Sequence, residues 1–113
     1  MRIELPFPNG KLSPNRAKGV HWVATHHLKK YEFSNAYTLT KQAMNCETMN
    51  GVGLTITYHE PDRRNRDLDN MLAASKSAID GMASALNVND KNFNPITIIR
   101  GEVVKGGLMV VTL

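Results

Sequence analysis

Between residues 52 and 86 the hydrophobic period of the chain changes once, and that change restricts the fold more than any other feature. Val52, Leu54, Ile56 and Tyr58 alternate with Gly53, Thr55, Thr57 and His59, the period of two that marks a half-buried strand. Further on, Leu68, Met71, Leu72, Ser75, Ile79, Met82 and Leu86 recur at three- and four-residue intervals, which predicts one amphipathic helix over residues 67–86. A strand with one apolar face that feeds a helix with one apolar stripe has a single economical solution. The stripe must be laid on the sheet, so the class is α/β (α+β), with helices packed on a sheet.

The flanking segments supply the remaining elements. Arg2 to Phe7 alternates through Ile3, Leu5 and Phe7 and predicts a short strand ending at Pro6 and Pro8. Asn9 to Val20 is rich in Gly, Pro, Asn and Ser and predicts a loop. A helix is expected from about His26 to Met49, its inner stripe running through Leu28, Tyr31, Asn35, Leu39, Gln42 and Cys46, with Ala36 and Ala43 beside it. Asn50-Gly51 then turns the chain, and Asn87 to Asn94 is polar and loop-like. Ile96 to Val104 and Leu108 to Leu113 are β-rich, and Lys105-Gly106-Gly107 between them predicts a tight turn and a paired hairpin. The expected order is β-α-β-α-β-β, a mixed sheet packed with two helices. With no linker or repeat, and 113 residues of which 42% are hydrophobic, residues 1–113 are expected to form one domain around one core.

Composition narrows the function classes. Cys46 is the single cysteine, so no intrachain disulfide forms and a reducing compartment is expected. Nothing approaches the ~20 apolar residues of a membrane span, and the first residues lack the apolar run of a signal peptide. A soluble, intracellular protein is expected. Fourteen Lys and Arg against ten Asp and Glu give a net charge of +4, an excess that favours an acidic partner such as nucleic acid. The basic residues are dispersed rather than gathered in a tail, so any positive surface has to be assembled by folding.

The densest charge lies at the join of strand and helix, where residues 63–70 read R-R-N-R-D-L-D-N. Two readings are open. In one, the arginines and aspartates neutralise each other on a solvated face, and Asp67 caps the helix through backbone N–H groups of Asp69 or Asn70. In the other, the arginines hold a polyanion while the carboxylates hold a divalent cation. In a continuous helix two residues of separation would part Asp67 and Asp69 by ~200°. With Asp67 still extended at the helix entrance, both can lie on one side. Along the helix, Lys76 and Asp80 fall within ~20° of Asp69 and form a polar row beside the apolar stripe. Asp90, in the loop after the helix, can return as a third carboxylate. Hard cations such as Mg²⁺ bind a few carboxylates and complete their shell with water and phosphate oxygens.

The segment Pro61-Asp62-Arg63-Arg64-Asn65-Arg66-Asp67-Leu68-Asp69-Asn70 closely resembles the P-D-R-R-x-R-D-L-D-N signature of the RusA family of Holliday junction resolvases. Leu5-Pro6-Phe7-Pro8 looks like that family's opening L-P-x-P strand, and Leu12-Ser13-Pro14-Asn15 with His21-Trp22 is similar to the following loop of its phage-type members. Asn89-Asp90 falls where the family has a D-D pair, and Lys105-Gly106-Gly107 is similar to its closing turn. The resemblance is collinear over nearly the whole chain. It implies a homodimeric, Mg²⁺-dependent endonuclease, with Mn²⁺ as substitute, that cuts four-way DNA junctions by paired nicks in recombination and repair. No nucleotide cofactor or membrane is implied, and the setting is the cytoplasm of a bacterial or phage-infected cell. Carried over by position, Asp67, Asp69 and Asp90 are the implied metal-binding carboxylates, and Arg63, Arg64, Arg66 and Lys91 the implied DNA contacts. The family's catalytic lysine lies four residues after the second aspartate, where this chain has Ala73. Lys76 or Lys91 is the candidate for that role. Asn89 replaces the first aspartate of the later pair. Two rival readings are a DNA-binding module of the same fold that lacks catalysis, and a metal nuclease acting on flaps or RNA.

Other chemistry-bearing residues have ordinary readings. His21, His26, His27 and His59 have no cysteine pair at ligand spacing, and the adjacent His26 and His27 are expected on different helix faces, so they are read as surface or capping residues rather than a zinc site. Cys46 is read as a small core residue. Trp22 and Phe93 either stack on an opened base or anchor their loops to the core, and Met71 and Met82 are expected in the core.

Overall fold

A computed structural model of the chain describes residues 1–14, 22–45 and 53–113, with the side chains of Trp22 and Ala24 excepted. Among the described residues, four strands and three α-helices follow in the order β1 (Arg2–Leu5), α1 (Trp22–Met44), β2 (Leu54–His59), α2 (Leu68–Ala74), α3 (Lys76–Leu86), β3 (Ile96–Arg100) and β4 (Leu108–Thr112). The strands form one mixed sheet in the order β1-β4-β2-β3, and the helices pack on it, as the change of hydrophobic period requires. The expected readings of His21, Cys46 and the Asn50-Gly51 turn lie outside the described residues, as does the Trp22 side chain.

The register explains the core. Ile3, Val111, Ile56 and Ile98 form one row across the four strands, and Leu5, Met109, Tyr58 and Arg100 form the next. The inward members of the first three strands are buried, with Ile56 and Val111 at 0% exposure. At β3, an edge strand with Ile96 and Ile99 exposed, Ile98 is partly buried against the core while Arg100 is exposed.

Three elements depart from expectation. First, β3 and β4 do not form a hairpin. β3 runs parallel to β2, while β4 lies antiparallel on the other side of β2, between it and β1. The strand expected to reach Val104 stops at Arg100, and the chain crosses the end of β2 instead. There Gly101 N–H donates to Tyr58 O at 2.9 Å and Val104 N–H to Glu60 O at 3.0 Å. The tight turn itself is present, with Gly106 and Gly107 at φ 84° and 76° and Gly107 N–H bonded to Val104 O at 2.8 Å. A β-carbon on Gly107 would also stand 2.7 Å from that of Phe7.

Second, the helix expected over 67–86 is two helices. Ser75 is fully in phase with the buried stripe, but its hydroxyl donates to the Met71 carbonyl one turn back at 2.8 Å, a bond that bends helices. With its single proton used, that oxygen accepts from the Tyr58 hydroxyl at 2.9 Å. The break is thus pinned to the middle of the sheet. Third, α1 starts at Trp22 and turns a partly different face inward. Ala36 is buried and Leu28, Asn35, Leu39 and Ala43 are half-buried, as expected, but Tyr31 is 62% exposed and Gln42 is exposed, whereas Thr25 and Thr40 are buried and Glu32 is half-buried. Burial raises the Glu32 carboxyl above its usual range, offset in part by a bond from the Asn9 backbone. Gly81 lets α3 approach α1 closely, since a β-carbon there would collide with the Phe33 carbonyl oxygen. Phe93 is buried in the core, as are Met71 and Met82, so the aromatic of the 87–94 loop anchors that loop and is not free to stack on a base.

Candidate active site

The segment from Glu60 to Asp67 is irregular backbone held by its own charges. Asp62 organises it: one carboxylate oxygen accepts from Arg64 N at 2.9 Å and from Arg66 Nη1 at 2.8 Å, and the other faces Arg66 Nη2 at 3.4 Å. The Arg66 fork, then the Arg64 backbone bond, hold the Asp62 carboxyl below its ordinary value. Glu60 continues the inward phase of β2 and its side chain is only 8% exposed. Two guanidiniums serve it, Arg100 Nε at 3.1 Å and Arg66 Nη1 at 3.5 Å, and Arg100 also donates to the Arg66 carbonyl. Arg66 further lies over the Phe7 ring, 5.6 Å from its centroid.

The arginine run is therefore divided. Arg66, with a side chain 20% exposed, is committed to the fold through Asp62 and Glu60. Arg63 is exposed, and Arg64 is exposed with a loose ion pair to Asp62 at 3.9 Å. Lys91 is exposed in the short 3-10 turn Asp90–Asn92, where Asn89 accepts the Lys91 backbone N–H at 3.1 Å. Of the four cations expected on a DNA track, three project outward and one braces the loop.

The carboxylates are divided too. Asp67 is the N-cap residue of α2 in extended conformation, its carbonyl accepting Met71 N–H at 3.1 Å, but its carboxylate makes no capping bond. It lines a hollow of about 540 Å³ together with Arg64, Asn65, Asn70 and the apolar Phe7 and Met71. Asp69, in the first turn, lines a second hollow of about 430 Å³ with Ala73, Lys76, Asp90 and Ile96. Asp67 and Asp69 thus line different hollows. Among the described residues no three His, Cys, Asp or Glu side chains converge as a metal-binding group. His26 and His27 do not diverge as expected; their rings meet edge to face at 5.9 Å.

In the second hollow the polar row read from the helix period is present. Lys76 Nζ donates to Asp80 at 2.7 Å, and it also donates to Asp90. Asp80, then Asp90, raise the Lys76 ammonium above its ordinary value. Lys76, followed by Asp80, lowers the Asp90 carboxyl. Ala73, the position at which the resemblance implies a lysine, lines this same hollow. An ammonium one turn further along the chain reaches the same hollow, as the helical period that stacks residues 69, 73 and 76 on one side requires. Sequence reasoning left Glu60 and Arg100 out of the site. Glu60 was signalled by its phase, since Leu54, Ile56, Tyr58 and residue 60 all point inward and an inward carboxylate demands a cation.

The second hollow thus combines carboxylate oxygens with the Lys76 ammonium, while Arg64 lines the first. Asp69 and Asp90 are the carboxylates that line this second hollow.

No protein-family model matches the chain. An uncharacterized protein of Xylella fastidiosa (strain Temecula1) is 32% identical over 115 residues, spanning 98% of this chain and 74% of that protein. The crossover junction endodeoxyribonuclease RusA of Enterobacteria phage HK97 is 28% identical over 104 residues, spanning 91% of this chain and 84% of that enzyme. Among the described residues no helix is long and apolar enough to cross a membrane. With nearly all of its length matched at that identity, the chain belongs to the same family as the Xylella protein, and it is weakly homologous to the phage RusA resolvase.

Proposed function

We propose that the protein is a metal-dependent endonuclease that binds branched DNA and resolves four-way junctions by paired nicks. One observation carries the reading: Asp69, Asp90 and Lys76 line a single hollow. The weak homology to the phage resolvase is consistent with it.

Asp69 and Asp90 would hold Mg²⁺, or Mn²⁺ in its place. The ion would polarise the scissile phosphate and lower the pKa of an attacking water. Lys76 supplies a positive charge aimed at the same hollow, available to a phosphate oxygen as charge develops on it. Asp80 holds that ammonium in place. Arg63, Arg64 and Lys91 contact flanking phosphates and fix position more than sequence. Two equivalent strands cross at a four-way junction, so a two-fold homodimer supplies two hollows for two nicks.

The second reading is a DNA-binding module without catalysis. It is favoured by the ammonium already seated on Asp90 and by the lack of a three-carboxylate group among the described residues. Incubating the purified protein with a mobile four-way junction and Mg²⁺ separates the two. Paired nicks that disappear with EDTA, and are absent on linear duplex, support the endonuclease. Junction binding without nicks at any protein concentration supports the module.

A further inference from the structure

The larger hollow, on the Asp67 side of α2, is not used by the chemistry above. We infer that it is a nucleobase subsite, taking one unstacked base of the bound DNA strand; this rests on the proposed binding of branched DNA. Its volume of about 540 Å³ lies in the range of pockets that enclose small organic ligands. Its walls are of two kinds. Phe7, Met71 and Ala74 give an apolar floor. The Phe7 ring is fixed there, edge-on to Tyr58 at 6.3 Å and covered on one side by Arg66 at 5.6 Å. Asn65 and Asn70 form the polar wall, and each carboxamide offers a donor pair and an acceptor, the groups that read base edges.

The charges select among ligands. Arg64, Arg66 and Asp67 all line the hollow, but Arg66 is already paired with Asp62 and Glu60, so a free phosphate or carboxylate seated inside would still face the Asp67 carboxylate. A neutral base inside, with its own phosphate outside on the exposed Arg64, meets no such conflict. One turn of helix separates this hollow from the Asp69 and Lys76 hollow, so a nucleotide held here would index the neighbouring phosphate over the carboxylates. Bases at a branch point are the cheapest to unstack, because their pairing is already broken or strained.

The test is binding of four-way junctions that carry 2-aminopurine at each branch-point position in turn, in Ca²⁺ so that the readout does not depend on cutting. An increase of about twofold or more in fluorescence at one position reports an unstacked base. Asn65 is exposed, so Asn65→Tyr can block the mouth of the hollow and is expected to abolish the increase while the junction still binds. If Asn65→Tyr does not fold, Asn65→Ala is expected to reduce it by at least half. Binding by the wild type with no change at any position, or an increase that both variants retain, overturns the subsite alone. Failure to bind the junction at all overturns the subsite together with the function on which it rests.

Discussion

The two hollows that flank the first turn of α2 are two residues apart in sequence and differ in kind. On the Asp67 side an apolar floor is rimmed by amides and a loosely held arginine. On the Asp69 side a lysine ammonium is clamped between two carboxylates. Charge density on the page and charge density in space are therefore different things. Of the run Arg63 to Asp69, Arg66 is spent on Asp62 and Glu60, and Asp67 points to a different compartment from Asp69. The lesson is that a cluster of ionisable residues at a helix entrance serves two faces, and each member must be assigned to one of them.

The largest effect is expected at the carboxylate. Asp69→Asn removes a ligand charge with little change of shape, so nicking of a four-way junction should fall by about 100-fold or more while affinity stays within about threefold. Wild-type turnover in that variant would erase the proposed distinction between the hollows. Arg66→Ala tests whether this arginine belongs to the scaffold. Removing it leaves Glu60 with one cation and frees Asp62, which should cost about 2 kcal/mol in urea unfolding. An unchanged midpoint with weaker DNA binding would move Arg66 to the DNA track. Lys76→Ala should slow nicking about tenfold at saturating DNA, and full activity would direct attention to Lys91.

The smallest effect sharpens the role of the strut beneath both hollows. Burial, offset in part by the Ser75 bond, pushes the Tyr58 hydroxyl up to about 12, against about 10 in an unfolded chain. A raised folded value means stability that is complete below about pH 10 and lost as pH climbs toward 12. Tyr58→Phe should therefore cost about 1 kcal/mol at pH 7 and flatten the alkaline loss. Unfolding curves at pH 7 and pH 11 measure both, and an alkaline limb that persists in the variant would assign it to another group.

Legibility followed how local each determinant is. The alternation of Leu54, Ile56 and Tyr58 reports directly which side chains face inward, and Ile79, Met82 and Leu86 do the same for α3. The row Asp69, Lys76, Asp80 was readable from helical period, and the Lys76–Asp80 pair needs nothing but one turn of α3. What depended on distant partners was not readable. Ser75 looks like any small residue of the stripe until the Tyr58 hydroxyl is found beneath it. The inner face of α1 was partly misjudged because Tyr31 outweighs Thr40 in apolarity, while the sheet edge and the Asn9 turn admit Thr25 and Glu32. Neighbouring β-segments usually pair with each other. Nothing in Ile96 to Leu113 announces that Gly101 and Val104 will bond across the end of β2 instead.

The placement of β4 has a consequence for assembly. Among the described strands β1 pairs only with β4, and β2 meets β4 from Thr55 to His59, so β1 waits for a strand far along the chain. Until residues 108–112 leave the ribosome, both β1 and one side of β2 are bare edges, open to chance pairing with other chains. Such long-range closure slows folding. Shielding of the nascent chain should therefore matter most while β1, β2 and β3 are made and β4, which joins β1 to β2, is not.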